Sequence, residues 1–420
     1  MKFRMLAIII TVMMTFSGCD GNNSRKEQTE LPSDTPYCRN IMETENGYYY
    51  NVARTLSLRY ADKETGNDVF LCGKPDCMHD GDENCTATYN NIIVSEPVLY
   101  EDYIYFTTLT CTKDKMGCSL YRAAPDGSSV DKVADIAEVE KLPKSTFFPD
   151  ANCTFIIHRG YAYVPYSIGW SYFDFIQSGL ARVDIQTGKS EIITSCNEYR
   201  GFSSCDIIAG CGDYVLYHDW RYETASENEL PFCRYNIKTG EIDTIVDDEN
   251  SENLTLACIG DNEVYFTYFD AENEITMLRA YDVETAERKT PEINTGERAI
   301  TGDILCYDEK FFFQSNNDIK VINKKGELLG KISIKNINKT RYYNEREIDI
   351  SDGKLYVTVW VSGSKDFATT GYVYCCYIDD ILCGNAEWEK AYTKNSWTEY
   401  WDDDPMNKAI QKNATDTSKD

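Results

Sequence analysis

The chain has 420 residues, 42% hydrophobic and 26% charged, with 31 Tyr, 17 Phe and 6 Trp. That apolar and aromatic mass can build a large core, which excludes a wholly disordered chain. Lys and Arg number 42 against 69 Asp and Glu, a net charge of −27, and such a surface repels phosphate backbones and excludes nucleic acid as a partner. The 17 Cys fall below the roughly 8–10% that marks a disulfide scaffold.

The first segment reads as an address. Lys2 and Arg4 precede an apolar run from Leu6 to Phe16, too short for a membrane span, which needs roughly 20 residues. Phe16-Ser17-Gly18-Cys19 follows. Small residues before a Cys resemble a bacterial lipobox, with Phe16 in place of the more usual Leu. The resemblance implies cleavage after residue 18 and acylation of Cys19, so that lipid chains hold the protein on the outer face of the cell membrane. The alternative is a plain secretory signal cut nearby. Residues 20–36 are mostly polar and read as a flexible tether.

From residue 37 to 394 one pattern recurs. A polar turn leads into an aromatic strand, as in Glu45-Asn46-Gly47-Tyr48-Tyr49-Tyr50 and Asp352-Gly353-Lys354-Leu355-Tyr356-Val357. The central residues are Tyr49, Tyr105, Tyr163, Leu216, Tyr265, Phe312 and Tyr356, at intervals of 44 to 58 residues. After each of the first six comes a further strand, five of them carrying an Arg, and then a turn of the Asp-x-x-Thr-Gly kind, as at residues 184–188. Each unit therefore holds four antiparallel strands. Seven such units predict an all-β fold, a β-propeller of seven four-stranded blades, with six or eight as alternatives. The anchor aromatics are expected to pack between blades.

The paired aromatics, Leu120-Tyr121-Arg122 and Asp126-Gly127 are similar to the blades of TolB-type propellers. They also resemble propeller lipoproteins whose blades look like those of the low-density lipoprotein receptor. Val183 to Lys189 looks like the quinoprotein-type turn, but Ile192 or Ile193 stands where that family has a docking Trp, which argues against quinone binding. The resemblance covers residues 40 to 394 and implies an architecture more than an activity.

The sharpest local feature is Cys72-Gly73-Lys74-Pro75-Asp76-Cys77-Met78-His79, continued by Cys85. Three thiols and one imidazole in C-x4-C-x-H-x5-C spacing suit a closed, structural Zn2+ site. The same pattern resembles a loop in the first blade of related propeller lipoproteins. Oxidised cysteine is the competing reading, because 16 Cys remain without Cys19 and disulfides form outside the cytoplasm; reduced thiols are the third. Cys111 and Cys118 flank a hairpin and are expected to form a cross-strand disulfide. Cys375 and Cys376 should face opposite sides of a strand.

Three long inserts carry Trp170, Tyr172 and Phe173, then Trp220 and Tyr222, then Trp360. They read as a contact surface for a protein, peptide or glycan, or as filling between blades. His158 and His218 read as structural. No nucleophile elbow, H-E-x-x-H, P-loop or dinucleotide fingerprint occurs. Two expectations follow: a membrane-anchored binding or scaffold module, or a carbohydrate-active enzyme with paired carboxylates at the propeller channel. Residues 395–420 read as an acidic, frayed tail.

Overall fold

The computed structural model describes residues 41–51, 58–79, 85–87, 92–93, 95–111, 115–140, 155–170, 175–198, 205–219, 232–246, 254, 257–335, 337, 346–362 and 369–395. Cys19, the tether and the acidic tail lie outside them. The strands form seven antiparallel sheets in chain order, spanning residues 42–70, 92–140, 156–198, 205–244, 257–294, 301–333 and 346–395. Six have four strands. In blade 2 the first strand is broken by a bulge into Ile92–Ile93 and Val98–Tyr100, both paired with Tyr103–Cys111. The first strands of neighbouring blades touch one another and so line the centre of a seven-bladed propeller. One short helix, Ile378–Cys383, caps the turn before the last strand. Among the described residues no helix is long and apolar enough to cross a membrane.

The turn residues explain why each blade is a meander. Between the first and second strands, Arg159-Gly160, Asp308-Glu309 and Asp352-Gly353 all have positive φ, the two-residue geometry that matches the twist of paired strands. Between the third and fourth strands a side chain caps the reversal. Asp184 Oδ1 accepts the backbone N–H groups of Gln186 and Thr187, and Asn236 and Asp282 repeat the arrangement. The residue four positions on is left-handed, as at Gly188 (φ 70°) and Gly240 (φ 77°), but in blade 5 Ala286 occupies it (φ 59°).

The core is not central but lies between blades. Seven apolar clusters of described residues correspond to the seven seams. Each second strand feeds two of them. Ala162 and Val164 pack toward blade 2 while Tyr163 packs toward blade 4, and Leu355 and Val357 face blade 6 while Tyr356 faces blade 1. A strand buried on both faces reads as an unbroken apolar run rather than an alternation. The seven anchor residues are all buried, as expected. Cys376 and Cys375 face the two opposite seams of blade 7. The recurring basic residue has its own role. Arg59, Arg182, Arg234 and Arg279 pair at 2.6–2.9 Å with Asp68, Glu191, Asp243 and Glu292. Each guanidinium also lies over a ring, that of Phe70, Tyr161, Tyr214 or Tyr268.

Met42–Glu43 pairs with Tyr49 and Tyr48 in blade 1 itself, and the tight turn closed by Thr44 N–H donating to the Gly47 carbonyl (2.8 Å) returns the chain directly. No strand is exchanged between blades 1 and 7 among the described residues, so side chains close the ring. Tyr48 stacks on Tyr392 at 4.7 Å and meets Tyr356 edge-on at 6.2 Å. The Ile41 N–H donates to Asp349 Oδ2 at 3.1 Å. Glu43, only 4% exposed, pairs with Lys63 at 2.7 Å and Lys354 at 3.3 Å. Burial lifts the Glu43 carboxyl, but the two ammonium groups outweigh it and hold the group below the usual carboxylate range.

Two outcomes are expected in denaturant unfolding. Tyr392→Ala should cost about 3–5 kcal/mol, as for other buried aromatics; a cost under about 1 kcal/mol would mean that the Tyr48 stack does not close the ring. Ala286→Gly should stabilise by about 1 kcal/mol, since a left-handed Ala carries that order of strain, and a net loss would contradict the turn geometry.

Candidate functional site

Strand direction alternates within a blade, so the start of each first strand, the end of each second strand and the second-to-third connection share one face of the ring. Of the sequence-derived aromatic residues, the backbone of Trp170 and Trp360 falls on this face. Trp170 ends the second strand of blade 3 and Trp360 lies near the end of that of blade 7. Tyr172, Phe173, Trp220 and Tyr222 belong to the second-to-third connections of blades 3 and 4 and lie outside the described residues, as does the side chain of Trp170. Trp170 belongs to blade 3 and Trp360 to blade 7, so the two lie across the ring from one another. Trp360 is half-buried and held in place: its Nε1–H donates to Glu347 Oε1 at 3.3 Å, and its ring lies so close over Gly371 that a Cβ there would come within 2.8 Å of it.

A second feature of the same face was not legible as a motif. Two residues beyond each anchor stand Asn51, Thr107, Pro165, His218, Thr267, Gln314 and Thr358. All but Pro165 are polar, and those six are buried. The first strand places acids beside this layer. Glu347 is opposite Thr358 and Asp206 opposite His218, while Glu96 and Asp303 sit in bulges of their strands next to Thr107 and Gln314. Directly opposed residues share one side of a sheet, so these acids and the polar layer lie together at the ends of the second strands, on the blade sides that face a neighbouring blade. The Thr107 and Thr358 hydroxyls and Asn51 Oδ1 have no hydrogen-bond partner among the described residues.

Electrostatics within this layer are strained by its own charge. Burial pushes the Glu96 carboxyl up; Lys394, at 3.5 Å, opposes the shift and the Glu347 charge adds to it. Asp303 is raised too, by loss of water first and by Glu347 second, although the Ile348 N–H favours its ionised form. Burial alone depresses His218 to about 4, and its ring stacks on Phe232 at 4.4 Å. Burial thus favours the neutral imidazole of His218.

The cysteine motif forms the other candidate centre. Cys72, Cys77, His79 and Cys85 converge, their ligand atoms all lying within 4.8 Å of one another. The motif follows the three-residue outer strand of blade 1, Asp68–Phe70, and rests on the Gly127 turn of blade 2. Gly73 N–H donates to the Gly127 carbonyl at 2.9 Å, and Thr86 Oγ1 donates to the same carbonyl at 2.6 Å. Burial raises the Cys72 thiol, but the Thr86 hydroxyl and the N–H groups of Lys74 and Thr86 outweigh it and bring the group down to about 7. At Cys77 the His79 N–H favours the thiolate, yet burial and the adjoining Cys85 and Cys72 push the thiol up to about 11. One thiolate thus suppresses ionisation of its neighbour, the arrangement a bound cation would relieve. The other expected cysteine pair is less directly placed. Strand register sets Cys118 opposite Leu109 and Cys111 opposite Met116, so the two are diagonal rather than facing, and the Cys111 side chain lies outside the described residues.

With this geometry in hand, comparison with known proteins adds the fold alone. No protein-family model matches the chain, and no curated protein matches it. Among solved structures it is similar to a chain from a structural analysis of two prolyl endopeptidases, at 10% identity and a TM-score of 0.50, over 85% of this chain and 50% of that one. Porphyromonas gingivalis dipeptidyl peptidase 4 gives 10% identity, a TM-score of 0.39, and coverage of 85% and 53%. The β-propeller domain of the Trilobed protease from Pyrococcus furiosus gives 12%, 0.46, and coverage of 86% and 98%. The chain spans about half the length of the first two.

His218 supplies a test with a definite sign. Its folded value lies below the unfolded one, so its stabilisation is complete above about 6.5 and is lost as the pH falls toward 4. Between pH 7 and pH 5 the wild-type chain should lose about 2 kcal/mol more than His218→Phe. Equal losses would show that the imidazole is not held neutral.

Proposed function

We propose that the chain is a lipid-anchored, extracytoplasmic binding or scaffold module, and that it takes a protein, peptide or glycan on the face described above. The observation that carries this reading is convergence. Strand direction sets the backbone of Trp170 and Trp360 on one face of the ring, and the sequence carries further aromatic residues in the connections that follow the second strands of blades 3 and 4. A ring with seven packed seams holds such loops at fixed spacing, and aromatic side chains on a rigid frame suit recognition at low entropic cost. The charge of −27 disfavours polyanionic ligands. The lipobox-like Cys19 supports the anchoring: acylated there, the protein would present its body outside the membrane through the tether of residues 20–36.

Anchoring is checked by fractionation and fatty-acid labelling. Cys19→Ser should move the protein from the membrane to the soluble fraction and abolish labelling; retention at the membrane with no label on the wild type would overturn it. Binding is checked with glycan arrays and extracellular protein pull-downs using the full chain. Trp220→Ala should weaken the ligand found by about tenfold or more, as at an interface hot spot, while Ile242→Asp on the outer strand of blade 4 should leave it unchanged. Equal effects of the two substitutions would remove the assignment of the face.

The raised carboxyls of Glu96 and Asp303 favour one second reading, a carbohydrate-active enzyme. A carboxyl whose acidity is weakened by its surroundings is the kind of group that can serve as a general acid. Turnover of a polysaccharide by the wild type and its loss in both Glu96→Gln and Asp303→Asn would select that reading over the binding module.

A further inference from the structure

We propose that Cys72, Cys77, His79 and Cys85 hold one Zn2+ in a closed tetrahedral site that pins the outer edge of blade 1 to blade 2. The donor set comes first. Three sulfurs and one imidazole nitrogen, with no carboxylate among them, select zinc over calcium or magnesium. Zn–S bonds of about 2.3 Å and a Zn–N bond of about 2.0–2.1 Å place tetrahedral ligands some 3.5–3.8 Å apart. His79 Nδ1 and Cys85 Sγ are already 3.5 Å apart, and the four donor atoms need only a small inward movement from their 4.8 Å limit.

The surrounding chain is arranged for that convergence. His79 has φ 55°, a left-handed value uncommon for a residue with a side chain. It lets Cys77 and His79 both turn inward while Met78 between them is 83% exposed. An exposed methionine on a strained loop gains nothing from packing, so the conformation needs another source of stability. The imidazole is also oriented from behind. Its ring stacks on Phe70 at 4.6 Å, Phe70 lies under Arg59 at 4.4 Å, and Arg59 is fixed by two hydrogen bonds to Asp68. Such outer contacts fix the orientation of ligating histidines.

A disulfide explains less. It would consume two of the three sulfurs and leave the third, and the imidazole, converged for no purpose. The location gives the metal its task. The outer strand of blade 1 has three residues against seven in blade 7, and among the described residues it joins blade 7 without a shared strand. Both arms of the metal loop meet the Gly127 carbonyl of blade 2. A Cβ at Gly127 would lie 2.8 Å from Cys72 N, so the seat admits only glycine.

The test uses the full chain, purified in detergent under reducing conditions, folded by circular dichroism. Elemental analysis should find one Zn2+ per chain, and Co2+ exchanged into the site should give a tetrahedral thiolate spectrum. Alkylation followed by mass spectrometry should find Cys72, Cys77 and Cys85 protected, and all three should become reactive when a chelator is added without a reductant. His79→Asn should lower zinc retention at least tenfold during dialysis against a weak chelator. Absence of stoichiometric zinc and cobalt overturns the proposal, as does protection of these cysteines that only a reductant relieves, or alkylation of all three before chelation. If the variant does not fold, the wild-type metal content and alkylation pattern decide by themselves.

Discussion

Every blade of this protein is apolar on both faces, and that one constraint organises the rest. A four-stranded sheet with two buried faces is stable only between two neighbours, so the ring has to close and no blade can be terminal. The burden falls on the seam between the first and last blades, where no strand is shared among the described residues. Tyr48, Tyr50, Tyr356 and Tyr392 supply the apolar contact, and the buried Glu43 of blade 1 pairs across the seam with Lys354 as well as with Lys63 of its own blade. Removing Lys354 would leave the Glu43 carboxylate with less compensation for its burial.

Closure also orders one face of the ring. Once the blades are fixed, the ends of the second strands share that face, and the polar layer along them is fixed in register. The Asn51 N–H of blade 1 favours the ionised form of Glu96 in blade 2, and the Ile348 N–H of blade 7 that of Asp303 in blade 6. The acids of this layer thus face groups of the neighbouring blade.

Much of the architecture was legible because a propeller repeats its own chemistry. The turn, the double-faced aromatic strand and the Asp-x-x-Thr-Gly reversal recur often enough that seven blades could be counted from residues such as Tyr163 and Tyr265. Closure had no sequence signature of its own, because the contacts of Tyr48 with Tyr356 and Tyr392 join residues more than 300 positions apart. The cysteine cluster was legible from spacing alone, whereas its docking on Gly127 depends on a turn some fifty residues away in another blade. The acid-lined layer was invisible as a motif because Glu96, Asp206, Asp303 and Glu347 share no local sequence. A usable signal did exist: the second residue after each anchor changes from apolar to polar in six of seven units.

Native-state hydrogen exchange on the full chain tests the closed ring most directly. If side chains seal the seam, amides of Gly47–Asn51 in blade 1 and Lys354–Ser362 in blade 7 should be protected to within about 1 kcal/mol of those in Lys310–Ser315 of blade 6. They should also exchange together in one cooperative opening. Early, independent exchange of blade 1 while the remaining blades stay protected would show that the ring is open at this seam.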